Sequence, residues 1–199
     1  LPGSAGMKPL VPKNRSDHYT FSRSFSVEDP QFRRSLDNFG SFMVGGNHAE
    51  LLENGDGVFP PMLKDIRAAK TSVNVEAYIF KPDDAGRLVA DALIEAAARG
   101  VQVRLLVDAQ GAKLGKLQKE MEAAGVKCKT YRPPSRYVIW GKRTHRKLVI
   151  VDGAIGYTGG FGFDKRWLGN ARNSDEWHDS AVRVTGPVVA QMQAIFCED

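Results

Sequence analysis

With only two cysteines in 199 residues, Cys128 and Cys197, far apart and at no metal-ligand spacing, the chain has neither a disulfide framework nor a zinc ribbon. Free thiols in a reducing compartment are the plain reading. No apolar run approaches the roughly 20 residues that cross a bilayer, so any membrane contact encoded in these residues is peripheral. Histidine is scarce as well: His18, His48, His145 and His178 are the whole set, and no His/Cys cluster points to a bound metal. The most informative absence is of negative charge. Between Glu122 and Asp152 there is no acidic residue, while Lys127, Lys129, Arg132, Arg136, Lys142, Arg143, Arg146 and Lys147 all fall there. The rest of the chain carries 20 cations against 23 acids, so the formal charge of +5 comes from one stretch. A field concentrated in this way suits a phosphate-bearing partner.

What is present is an ordinary globular composition, 42% hydrophobic and 26% charged, and long enough for one substantial core. Residues 1–38 are rich in Ser, Pro, Lys and Arg and read as an extended arm with one short helix near 30–37. Residues 39–199 read as one domain. It opens with strand-like pieces at 42–44 and 49–52 and a turn cluster at 53–57. Pro60 and Pro61 should start a helix ending near residue 70. The residues from 72 to 131 then alternate: strand 72–80, a helix over 85–99 capped by Asp83 or Asp84 and ended by Gly100, strand 101–108, helix 113–124 and strand 126–131. This β-α-β-α-β order indicates an α/β sandwich, with a mixed, mostly parallel sheet flanked by helices. Residues 132–143 form a basic loop, with Tyr137, Ile139 and Trp140 placed among cations as lipid headgroup contact would require. Strands at 145–151 and 154–158 joined by Asp152-Gly153, a glycine turn at 159–162, strand 180–185 and a helix from Pro187 through 196 complete the domain.

The chemistry-bearing stretch is Thr144-His145-Arg146-Lys147-Leu148-Val149-Ile150-Val151-Asp152-Gly153. On a strand His145 and Lys147 share a face, which presents an imidazole and an ammonium together from a rigid element. Such a pair can bind an anion and attack it.

His145-x-Lys147-x4-Asp152-x6-Gly159-Gly160 resembles the HxKx4Dx6GSxN motif of the phospholipase D superfamily. Further segments are similar to the first half of bacterial cardiolipin synthases: residues 52–55, 72–80, 100–108, 143–147, 167–169, 177–179 and 184–189. The resemblance implies the phospholipase D-like fold and a metal-free, cofactor-free phosphoryl transfer in two steps through a covalent phosphohistidine. It implies His145 as nucleophile, or as general acid if the two halves of the site exchange roles. Lys147 neutralises the phosphate, Asp152 bonds within the turn, and Asp179 orients the imidazole. Arg143 and the glycine turn would bind phosphate. Because Gly160 and Gly162 replace the family's Ser and Asn, the backbone N–H groups there are expected to form an anion nest. Glu76 reads as a buried, supporting carboxylate, and His178 as structural.

The implied activity is phosphatidyl transfer from a phosphatidylglycerol-like substrate, peripheral to an anionic membrane, on the cytoplasmic side of a bacterial inner membrane. This chemistry needs two histidines, and His18, His48 and His178 lack a lysine two residues on. A second motif is therefore expected from a second repeat or from a homodimer partner. The alternatives are a dimeric nuclease of the same superfamily, for which the basic, aromatic stretch would bind nucleic acid, and a non-catalytic half that binds anionic membrane.

Overall fold

The computed structural model describes residues 43–131 and 143–198, with 26, 28–32 and 34. The basic loop and most of the N-terminal arm lie outside the described residues, and with them the expected lipid contacts of Tyr137, Ile139 and Trp140. Residues 30–32 are helical, with the Asp29 carboxylate accepting from Gln31 N at 2.8 Å. The sheet-bearing unit is Val44–Asp199.

In chain order that unit holds β1 (His48–Glu53), α1 (Asn54–Ala68), β2 (Ser72–Ala77), α2 (Asp84–Ala98), β3 (Gln102–Asp108), α3 (Lys116–Ala123), β4 (Lys127–Tyr131), β5 (Leu148–Val151), β6 (Ile155–Gly159), a 3-10 turn (Lys165–Trp167), β7 (Ser180–Thr185) and α4 (Val188–Cys197). The seven strands form one sheet in the order β1-β7-β6-β5-β2-β3-β4. It is mixed and flanked by helices, as expected, but its balance is different. Only β2–β3 and β3–β4 pair in parallel; the other four pairings are antiparallel. The two helical crossovers, α2 and α3, allow parallel neighbours, whereas the three-residue connection after β5 can only return the chain antiparallel.

Both faces are covered. α1, α2 and α3 pack on one face over Val73, Val75, Val103, Leu105, Val149 and Val151. On the other, α4 sets Val189 and Met192 on Leu148 and Ile150, and Asn74 donates to Gln193 Oε1 at 2.8 Å. β5, the middle strand, is thus apolar on both sides, whereas β2 turns Val73 and Val75 to one face and Asn74 and Glu76 to the other.

Two local expectations fail for one reason. Residues 54–57, expected as a turn, are the first turn of α1, which carries Pro60 and Pro61 inside it. Prolines there delete backbone hydrogen bonds, yet Val58, Phe59, Met62, Leu63 and Ile66 all bury on the helical stripe. Burying a side chain of this size stabilises by about 1.5–3 kcal/mol, so five of them outweigh two absent bonds. The start of α1 is also satisfied from outside: Asn54 N donates to Asp179 O at 2.8 Å and Asp56 N to Gly169 O at 3.0 Å. The expected strand at 42–44 is likewise absent at Met43 and Val44, and the first strand runs over His48–Glu53.

The hairpin after β5 follows its dipeptide. Asp152 and Gly153 take φ of 53° and 63°, the left-handed pair of a type I′ turn. The Asp152 carboxylate accepts from Lys70 N, Thr71 N, Thr71 Oγ1 and Ser72 N at 2.8–3.2 Å, tying the turn to the start of β2. Burial alone would raise its pKa, but these donors outweigh burial and hold it at about 2, below its ordinary 3.8. A folded pKa below the unfolded one stabilises the fold fully above about pH 4, and this contribution is lost as pH falls through 2. Urea unfolding at pH 6 and pH 2.5 is expected to show the wild type losing about 1–2 kcal/mol more than Asp152→Asn, allowing for solvent screening. Equal losses would show that the turn carboxylate contributes nothing to acid sensitivity.

Candidate active site

The carboxyl ends of β2, β3 and β6 and the amino ends of β5 and β7 lie at the same end of the sheet, as their registers require. β2 has a parallel neighbour, β3, on one side and an antiparallel one, β5, on the other. The carboxyl ends of the parallel strands β2 and β3 are the end at which open α/β sheets hold ligands.

His145, Lys147, Gly160 and Asp179 meet there. With Ile79, Trp167, Trp177 and His178 they line one open cavity of about 290 Å³. The pair does not arrive by strand alternation, since β5 begins only at Leu148 and residues 143–147 stand outside the ladder. Instead, Lys147 folds back and donates from Nζ to His145 O at 2.7 Å. Lys147 is 8% exposed, whereas His145 is exposed. Burial lowers the pKa of Lys147, and the negative charge of Asp179 partly offsets that. The Tyr78 ring supports both: it meets the imidazole edge-on at 4.8 Å, and the ammonium lies 5.7 Å from its centroid.

Beneath them is a buried polar layer. Thr144 donates from its N–H to Asp108 Oδ2 at 3.2 Å and from its hydroxyl to Glu76 Oε1 in a short bond. Glu76 and Asp108 are fully buried. Together they fix the residue immediately before the nucleophile candidate. Glu76 thus sits under the site and does not line the cavity. Arg143 lies 3.9 Å from Asp108 and is 17% exposed, beside a separate small hollow formed with Tyr131, Thr144, His145 and Arg146.

Asp179 shares the cavity with His145 without being bonded to it. Its Oδ2 accepts from Trp167 Nε1 at 2.8 Å and its Oδ1 from Ser180 N at 2.7 Å. Trp167 in turn packs on Trp177 at 4.5 Å, and the Arg166 guanidinium, held by Asp164, lies 4.2 Å from the Trp177 ring. Asp152 is not brought to the cavity. It closes the opposite end of β5, five residues from Lys147 and on the order of 16 Å away at strand rise.

The glycine turn does not form the expected nest. Gly159, Gly160 and Gly162 avoid the left-handed φ that a nest alternates, and Gly160 N donates to Ser180 O at 3.4 Å. Their use is room. A Cβ on Gly160 would stand 2.3 Å from Asp179 Oδ1, one on Gly159 2.7 Å from Ala181 Cα, and one on Gly162 3.0 Å from the Trp167 ring. Of the three, only Gly160 lines the cavity. Gly160→Ala is therefore expected to displace Asp179 and slow the reaction about tenfold or more, with a small change in melting temperature. An unchanged rate would show that the carboxylate's position does not matter.

Sequence reasoning missed Thr144, Asp108, Tyr78 and Trp167. For Asp108 a signal existed: a carboxylate at the end of an otherwise apolar parallel strand. Trp167 falls in the family-like segment 167–169, which marks the segment but not the role of the ring. Among the described residues, no group of three or more His, Cys, Asp or Glu side chains converges as a metal cage.

The family model described as "Cardiolipin synthase, PLD-like domain" matches residues 62–199. The chain belongs to this phospholipase D-like family. Cardiolipin synthase 1 of Bacillus cereus is 38% identical over 157 residues, covering 75% of this chain and 30% of that protein. The major cardiolipin synthase ClsA of Bacillus subtilis is 36% identical over 181 residues, covering 88% and 37%. The chain thus spans about a third of the length of these phospholipase D-like relatives. Two solved structures share the fold. Nuc of Salmonella typhimurium, a phospholipase D family member, has a TM-score of 0.58 at 22% identity, over 76% of this chain and 93% of its own. The phosphatidylserine synthase of Haemophilus influenzae has a TM-score of 0.61 at 18% identity, over 76% and 36%.

Proposed function

We propose that this protein is a phosphatidyl-transferase of the cardiolipin synthase type, moving a phosphatidyl group from a phosphatidylglycerol-like lipid to a second alcohol. The observation that carries the reading is the convergence of His145, Lys147 and Asp179 on one cavity, in a chain whose curated relatives are named cardiolipin synthases. The His145 imidazole attacks phosphorus, the P–O bond to the headgroup breaks, and the leaving oxygen takes a proton. The acceptor hydroxyl then gives up its proton and attacks, the P–N bond breaks, and His145 is restored. Lys147 offsets the charge that builds on the phosphate oxygens. Asp179, anchored by Trp167, orients the imidazole once the two close to hydrogen-bond distance in the complex with substrate.

A second histidine motif completes the site, supplied by a further repeat or by a second copy of the chain. The third of its relatives' length that the chain spans agrees with the repeat. Among the described residues no helix is long and apolar enough to cross a membrane. These residues would work at the cytoplasmic face of a bacterial inner membrane as a peripheral unit. Incubating the full-length protein with phosphatidylglycerol vesicles and, separately, with plasmid DNA, both in EDTA, tests this reading. Cardiolipin with intact plasmid is the expected result; cleaved plasmid with unchanged lipid would overturn it in favour of the nuclease.

A further inference from the structure

His178 is the one histidine besides His145 that lines the cavity. Its backbone is clamped on both sides: Trp177 N donates to Arg166 O at 2.7 Å, and Asp179 N donates to Asn54 Oδ1 at 3.1 Å. Its side chain is exposed and makes no hydrogen bond among the described residues. A side chain fixed at its root, unspent at its tip and sharing one cavity with His145 and Lys147 is placed to meet a ligand.

The rest of the lining says which part of the ligand. Lys147 and His145 already claim the phosphate. Around His178 stand Trp167 and Trp177, whose rings offer apolar walls, and the Asp179 carboxylate. A neutral imidazole has one donor and one acceptor, the complement of an alcohol hydroxyl. At about 290 Å³ the cavity is at the small end for ligand sites, sized for a headgroup rather than for acyl chains. The geometry points to His178 as the residue that reads the hydroxyl of a polyol headgroup on the phosphodiester. This rests on the phosphatidyl-transfer reading above and names its headgroup class.

The test compares headgroup release by the full-length protein from vesicles of phosphatidylglycerol and of phosphatidylethanol, whose headgroup lacks a free hydroxyl. His178→Phe keeps the ring and removes the hydrogen bonds. It is expected to lower kcat/KM for phosphatidylglycerol about tenfold, the effect of one hydrogen bond of about 1.4 kcal/mol, and to leave phosphatidylethanol within about twofold. His178→Gln, which keeps a donor and an acceptor, should retain much of the preference. Equal losses on both lipids, or no loss on either, would overturn the inference while leaving phosphatidyl transfer in place. If the wild type attacks neither lipid, the transfer reading fails and this inference with it.

Discussion

His145→Ala in the full-length protein is expected to cut phosphatidyl transfer by on the order of 10⁴-fold or more, because removing a nucleophile removes the covalent path and not one contact within it. The phosphorylated adduct trapped on wild-type protein with labelled phosphatidylglycerol should vanish with it. Stability should not follow. The His145 side chain is exposed and its contact is with the Tyr78 ring, so a change within about 0.5 kcal/mol is the surface expectation. Lys147 differs, since its buried ammonium is tied to His145 O; Lys147→Met should slow transfer about 10²–10³-fold while folding survives. Full activity in His145→Ala would sink the mechanism whatever the lipid product.

The largest stability effect is expected at Phe163→Ala, about 3–5 kcal/mol. For a domain of this size that is a fall of roughly 10 °C in melting temperature. Phe163 is buried among Phe59, Phe80 and Phe161, with ring centroids 5.0–6.4 Å apart. Its backbone also bonds Ile79 O at 3.0 Å and Lys81 N at 2.8 Å. The same residue thus fills the core and ties the glycine turn to the segment after β2 that carries Tyr78. Phe163→Leu, which nearly conserves volume, should cost under about 1.5 kcal/mol. If alanine costs no more than leucine, the cluster is not what holds the turn.

Much of the local structure was legible because it depends on neighbours in sequence. Asp83 caps α2, accepting from Gly86 N; Gly100 follows that helix with φ of 87°; β7 runs from Ser180 to Thr185 as its alternation predicts. The cluster of turn residues at 53–57 was misread because such residues report local preference, and α1 forms through burial against residues far along the chain. Reading 145–151 as one strand put His145 and Lys147 on a common face. The pair instead reaches a common cavity by a bend before β5, set by Thr144 on Glu76 and Asp108.

By itself the sequence determined the βαβ order, the hairpin at Asp152-Gly153 and the motif residues proposed to carry the chemistry, because turn dihedrals, caps and motif spacing are properties of a few consecutive residues. Only the tertiary structure decided the order of the strands, the predominance of antiparallel pairs and the company His145 keeps. Tyr78, Asp108, Trp167 and the adjacent pair His178 and Asp179 come from four separate segments, and what joins them is burial and register across the sheet, which no local pattern encodes. Asp152 shows the same division from the other side. Seven residues from His145 in sequence, it belongs to the opposite end of the sheet, because an extended strand separates its ends.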